Sequence, residues 1–249
     1  MFRVWAKARS GLARDWLVAL TCKDPLFTML PGRRATDEVW RAQVLHEADS
    51  DEHFLEANWD IAKCFENVRR TKLIECATAL GYPLVVLRLS LASYEWGRAL
   101  RGPGGLVTQP IFSRHGIVAG SAFAVHELVC YMWTDLRAPR VQHSISMHVY
   151  IDDICFGSRG RRAADVVHDF GAGGKAISAA LAALELPLAQ DKAFVIGSSW
   201  ELTRRGARAL GMPRAAAHSV RRLGVDHSFR RLGARLSTRA TRCGLGAPP

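Results

Sequence analysis

The sequence predicts an α+β fold, an antiparallel sheet with helices packed behind it. Three observations predict it. Strand-like and helix-like segments succeed one another as strand, helices, hairpin, helix and strand, with no internal repeat. Two strand-like runs, 145–151 and 154–157, are separated only by Asp152-Asp153, which makes a β-hairpin with two acids at its bend. A chain of 249 residues, 49% hydrophobic and 23% charged, is an ordinary globular mixture. At that size it buries roughly 70–75% of its unfolded surface and needs no metal or disulfide staple.

The elements follow in order. The first 20 residues are basic and mildly amphipathic, and Asp15 interrupts any apolar core of a secretory signal. Residues 54–59 read as a strand, and 62–80 as one helix with Phe65, Val68, Leu73, Ile74 and Ala77 at helical spacing, stopped by Gly81-Tyr82-Pro83. A second helix is expected over 84–100, a turn at Gly102-Pro103-Gly104-Gly105, a strand over 106–112 and a helix over 121–136. After the hairpin come a helix over 161–184 with a break at 171–174, a strand at 193–196, a helix at 200–210 and a last strand at 219–225.

Charge speaks of partners. Lys and Arg number 34 against 23 Asp and Glu, a net charge of +11. Residues 201–249 hold eleven Arg against Glu201 and Asp226, a local balance of +9 that would attract a phosphate backbone. The six Cys are too scattered for a metal knuckle, so reduced thiols and an intracellular protein, nuclear or cytoplasmic and not secreted, are expected. No run of 18 uncharged apolar residues exists to cross a membrane. Asp169-Phe170-Gly171 lacks the companion motifs of a kinase, and the run from Gly171 to Lys175 lacks the first Gly and the Ser or Thr of a phosphate loop. Ser113, His115 and Ser121 lack a nucleophile elbow, which argues against a hydrolase.

The chemistry gathers at the hairpin. Two adjacent acids raise one another's pKa unless a cation neutralises them, and a divalent metal is the natural neutraliser. Asp60, at the end of the strand before the long helix, is positioned to project into the same concavity. Three carboxylates, Asp60, Asp152 and Asp153, form a hard oxygen set suited to two Mg²⁺, with Mn²⁺ as a substitute. Two such ions, roughly 3.5–4 Å apart, support in-line displacement at phosphorus.

The run Asp60-Ile61-Ala62-Lys63-Cys64-Phe65-Glu66, followed about ninety residues later by Tyr150-Ile151-Asp152-Asp153, resembles the catalytic palm of reverse transcriptases. Between them, Gly116-Ile117-Val118-Ala119-Gly120-Ser121 resembles the family's Gly-rich block. Leu184-Glu185-Leu186-Pro187-Leu188 with Asp191-Lys192 resembles its next helix and lysine block, and Leu223-Gly224-Val225-Asp226 its primer-grip turn. The likeness runs from about residue 57 to 226 and is nearest to retroelements of the non-LTR or group II intron type.

That resemblance implies a polymerase right-hand palm with partial fingers and a missing or rudimentary thumb: fingers in 1–50, palm in 51–216, and a primer-grip-like turn with a basic tail in 217–249. It implies RNA-directed DNA synthesis, with an RNA template, a DNA primer and dNTPs as partners and no membrane. Asp60 and Asp152 would ligate both metals and Asp153 would complete the cluster. Ile61 and Ala62 would offer backbone groups to the triphosphate. Phe65 would lie under the sugar, where its ring excludes a 2′-hydroxyl, and Gly120 and Ser121 would border the nucleotide. Lys192 would serve the departing pyrophosphate as general acid, and Leu223 and Gly224 would grip the primer.

The sequence departs from the family pattern at several points. Val118-Ala119 stands where relatives have Pro-Gln, and Glu66 stands for a commoner Asp. Only Arg33 and Arg34 offer themselves as a fingers clamp, which leaves room for other chains to supply fingers or thumb. Two further readings share the same residues. One is an inactive remnant that binds nucleic acid by charge; the other is an RNA-dependent RNA polymerase.

Overall fold

The computed structural model describes residues 2–22, 24–29, 52–213 and 217–219. Among these, the strands β1 (His53–Asp60), β2 (Ser146–Tyr150), β3 (Asp153–Gly160), β4 (Phe194–Gly197) and β5 (Ala217–Ser219) form one sheet in the order β2-β3-β1-β4-β5. Ladders β2–β3, β3–β1 and β1–β4 are antiparallel, and β4–β5 is parallel. The central position of β1 explains its composition. Phe54, Leu55, Ala57, Asn58 and Trp59 are all buried, as expected of a strand covered on both faces.

The helices are α1 (Phe2–Thr21), α2 (Cys64–Asn67), α3 (Arg70–Ala79), α4 (Leu84–Tyr94), α5 (Ala124–Gln142), α6 (Ala163–Ala183) and α7 (Trp200–Ala209). Helix α5 is apolar nearly all round: Leu128, Val129, Cys130, Tyr131, Met132 and Leu136 are fully buried, and α1, α3 and α6 pack against it. Ala6, Ala13 and Leu17 of α1 join the same core as the sheet.

Five expectations are corrected. The single helix over 62–80 is two, α2 and α3, because Val68 and Arg69 are extended and the Val68 carbonyl accepts the N–H of Gly116 at 2.9 Å. The helix over 84–100 ends at Tyr94, and 106–112 is no regular strand. Instead 95–115 is an irregular exposed arm closed by isolated bridges Arg98–Ile111 and Arg101–Val107. The helix expected over 121–136 starts at Ala124 and runs on through Pro139 to Gln142.

The fifth correction concerns the glycines. Helix α6 is continuous through 171–174, where a break was expected. A Cβ on Gly173 would stand 2.7 Å from Ile145 Cδ1, and one on Gly174 would stand 3.0 Å from Phe156 Cζ. These glycines let the helix lie close against the sheet rather than interrupting it.

Cys64, Cys76, Cys130 and Cys155 are buried thiols in no disulfide and Cys22 is an exposed one; Cys243 lies outside the described residues. No described helix is long and apolar enough to cross a membrane.

Candidate active site

The ladder between β1 and β3 sets the acids. In its register Asp60 is the partner of Asp153, and on the other side Asp153 is the partner of Tyr150. The hairpin loop is therefore Ile151-Asp152. Ile151 has φ 61°, a left-handed conformation that a β-branched residue adopts only under constraint, and that turn brings Asp152 round beside the end of β1. The Asp152 carbonyl accepts the N–H of Ile61 at 3.2 Å, which ties the loop to that end.

Residues 187–192 close the site from the opposite edge. The Pro187 carbonyl accepts the N–H of Ala62 at 2.8 Å, the Asp60 carbonyl accepts that of Ala189 at 2.8 Å, and Ile61 bridges Leu188. This clasp carries Lys192 to the acids, where its ammonium donates to Asp60 Oδ2. The Asp60 side chain is 16% exposed and that of Lys192 66%.

Electrostatics reflects this crowding. The Asp152 carboxyl is pushed up from its usual range, first by burial and further by Asp60 and Glu66, while a backbone hydrogen bond and Lys192 oppose the shift. The Lys192 ammonium is held protonated, chiefly by its bond to Asp60. Burial, with Asp152, Asp60 and Glu66 adding to it, drives the Cys64 thiol far up, so this cysteine is a neutral packing residue and no nucleophile. The donor set suits a hard cation, since it is all carboxylate and carries unbalanced negative charge. Among the described residues, no three Asp, Glu, His or Cys side chains stand as a preformed metal cage.

The remaining expected residues are placed unevenly. Ile61 is buried, and its N–H and that of Ala62 are engaged with Asp152 and Pro187, so these amides are not donors for a triphosphate; the hairpin loop takes the first and the clasp at 187–189 the second, neither visible in the motif. Phe65 is partly buried on α2, and its carbonyl accepts the N–H of Ile117 at 2.8 Å. Gly116 is required there, because a Cβ would meet the Glu66 carbonyl oxygen at 2.7 Å. The N–H of Ser121 donates to the Val118 carbonyl at 2.9 Å, which makes a turn with Gly120 at φ 83°. Gly120 and Ser121 border a cleft of about 650 Å³ that also takes in Arg3, Lys7 and Arg98. Leu223, Gly224, Arg33, Arg34 and most of the basic tail lie outside the described residues.

Arg70, which no motif marks, fixes this region. Its Nε donates to the Gly116 carbonyl at 2.9 Å and its Nη2 to the carbonyls of Tyr94 and His115, both at 3.2 Å. Both ends of the arm at 95–115 are thus held by one guanidinium. The partners are scattered along the chain, so the sequence carries no local signal for the role.

No curated protein matches the chain. Among solved structures, telomerase from Candida albicans in complex with a fragment of telomeric RNA is similar, with a TM-score of 0.53 and 13% identity over 78% of this chain and 36% of that one. Apo telomerase from Candida tropicalis, truncated of its C-terminal domain, gives a TM-score of 0.51 and 9% identity over 79% of this chain and 41% of the other. The chain therefore spans less than half of either, and at such identities the likeness is one of fold. Sequence carries the family: residues 14–227 match the model described as reverse transcriptase (RNA-dependent DNA polymerase). With 14–227 containing both acidic strand ends and the clasp that joins them, the chain belongs to the reverse transcriptase family.

Proposed function

We propose that this chain carries out RNA-directed DNA synthesis, adding dNTPs to a DNA primer on an RNA template, as part of a retroelement of the non-LTR or group II intron type. The observation that supports it most is the register that sets Asp60 opposite Asp153 with Asp152 in the adjoining loop. Asp60 and Asp152 hold two Mg²⁺, or Mn²⁺, and Asp153 completes the carboxylate set. When bound, the ions supply charge stabilisation for the attacking primer oxygen and for the leaving pyrophosphate.

The protein's own groups do the rest. Phe65 lies on α2, the short helix that follows the strand ending at Asp60, and its ring excludes a sugar bearing a 2′-hydroxyl. Gly120 and Ser121, at the mouth of the cleft, border the nucleotide. Lys192 keeps Asp60 paired until the nucleotide enters, then gives a proton to the oxygen leaving with pyrophosphate. In that division of labour residues 51–216 are the palm, 1–50 partial fingers and 217–249 the primer grip and basic tail, with other chains free to supply what remains.

Primer extension on an RNA template with dNTPs and Mg²⁺ or Mn²⁺ tests the reading, run beside Asp152→Asn. Extension by the native chain that the variant loses is the expected result. Absence of extension with salt-sensitive binding of the template intact would overturn it in favour of a binding remnant.

A further inference from the structure

The arm at 95–115 is the least protected part of the described molecule. Every residue in it is exposed, and Trp96, Leu100, Leu106, Val107, Ile111 and Phe112 are large and apolar. Six large apolar side chains left in water within one segment mark a binding surface. Its charge identifies the class of occupant: Arg98, Arg101 and Arg114 stand against the one acid Glu95. The geometry of Phe112 narrows it further. A Cβ on Gly97 would stand 2.8 Å from Phe112 Cζ, so the ring rests against bare backbone while 68% of the residue stays exposed. A ring seated on one side and open on the other is a stacking platform, and arginines beside it supply phosphate contacts.

The arm is also continuous with the cleft. Trp96 and Arg98 at its root line the same 650 Å³ space as Gly120, Ser121, Arg3 and Lys7. The one guanidinium of Arg70 holds both of the arm's ends at that space.

We infer that the arm docks single-stranded nucleic acid, with Phe112 stacking on a base and Arg98 and Arg101 contacting phosphates. That the strand is the template on its way to the acids rests on the polymerase reading above. The docking itself does not.

The test uses the full chain and fluorescein-labelled oligouridylate, with anisotropy followed across a salt series. Phe112→Leu, which keeps apolar bulk and loses the flat ring, weakens binding about fivefold or more, the loss expected of one stacked base, and Phe112→Tyr retains it. Arg98→Ala and Arg101→Ala each lower the slope of log affinity against log salt by about 0.7. Unchanged affinity in Phe112→Leu together with unchanged slopes overturns the proposal. So does a chain that sediments as a dimer and becomes monomeric in Phe112→Leu with oligonucleotide binding intact, since the arm is then a self-association surface. Losses in the variants of a native chain that extends no primer support the docking while removing the polymerase reading.

Discussion

Arg70 donates to the carbonyl of Gly116 at 2.9 Å, and this bond joins α3 to the block that borders the cleft. Because the same side chain also serves Tyr94 and His115, Arg70→Ala leaves three carbonyls short of a charged donor. It is expected to cost about 1.5–3 kcal/mol and to open 95–115 to protease. Arg70→Lys recovers less than half, since a point charge cannot span the three acceptors. Thermal unfolding and timed proteolysis read both effects.

Asp152→Asn separates activity from stability. The native carboxyl is raised, so its ionised form is disfavoured in the fold, and stability falls as pH rises through the folded pKa. Without added metal, the variant therefore melts at or above the native temperature at neutral pH, and the difference closes in acid, where the native carboxyl is protonated. Primer extension falls about a hundredfold or more. A lower melting temperature at neutral pH would contradict the electrostatic account.

Glu127 supplies a second pH effect in the core. It is fully buried on α5 and accepts from the Tyr94 hydroxyl at 2.6 Å, and burial pushes its carboxyl up to about 7 from 4.5. The folded state thus holds a proton that the unfolded state releases between those values. Stability is lost as pH rises from about 4.5 through 7, by on the order of 3 kcal/mol. Glu127→Gln keeps an oxygen for Tyr94 and removes the titration. Its advantage over the native chain in denaturant unfolding grows from pH 5 to pH 8.

Two glycine substitutions of opposite sign test the packing of α6. Gly173→Ala drives a methyl into Ile145, 2.7 Å away, and is expected to destabilise by about 1–3 kcal/mol despite better helix propensity. Gly11→Ala, in α1 with nothing within 4 Å, stabilises by about 0.5–1 kcal/mol. Chemical denaturation of the two variants decides whether the α6 glycines serve close approach.

What the sequence reveals about this molecule is what is local. The hairpin around Asp152 and the strand ending at Asp60 cluster within a few residues and both form, the hairpin with its bend at Ile151-Asp152, one residue before the expected Asp152-Asp153. The fold of the helices is only partly legible for the opposite reason. The interruption at Val68 is imposed by Gly116, and the continuity at 171–174 by Ile145 and Phe156, all distant in sequence. The same holds at the site. Asp60 and Lys192 belong to motifs and are hydrogen-bonded, and Asp153 stands opposite Asp60 in the ladder, whereas the engagement of the Ile61 and Ala62 amides depends on Asp152 and Pro187, and the grip of Arg70 on the far ends of an arm.

The pairing of Asp60 with Asp153 has a consequence for how such a gene can drift. A strand measures position in whole residues, and its side chains change face with every step. Substitutions along β1 and β3 leave the spacing of the acids alone, because the register of the ladder does not depend on any one of the side chains it carries. Loss of one codon between Asp153 and Phe156 is different in kind. It preserves almost every residue and yet turns either the carboxylate or the buried Phe156 to the wrong side, so in a decaying copy the ladder fails by a change of length well before it fails by a change of letter.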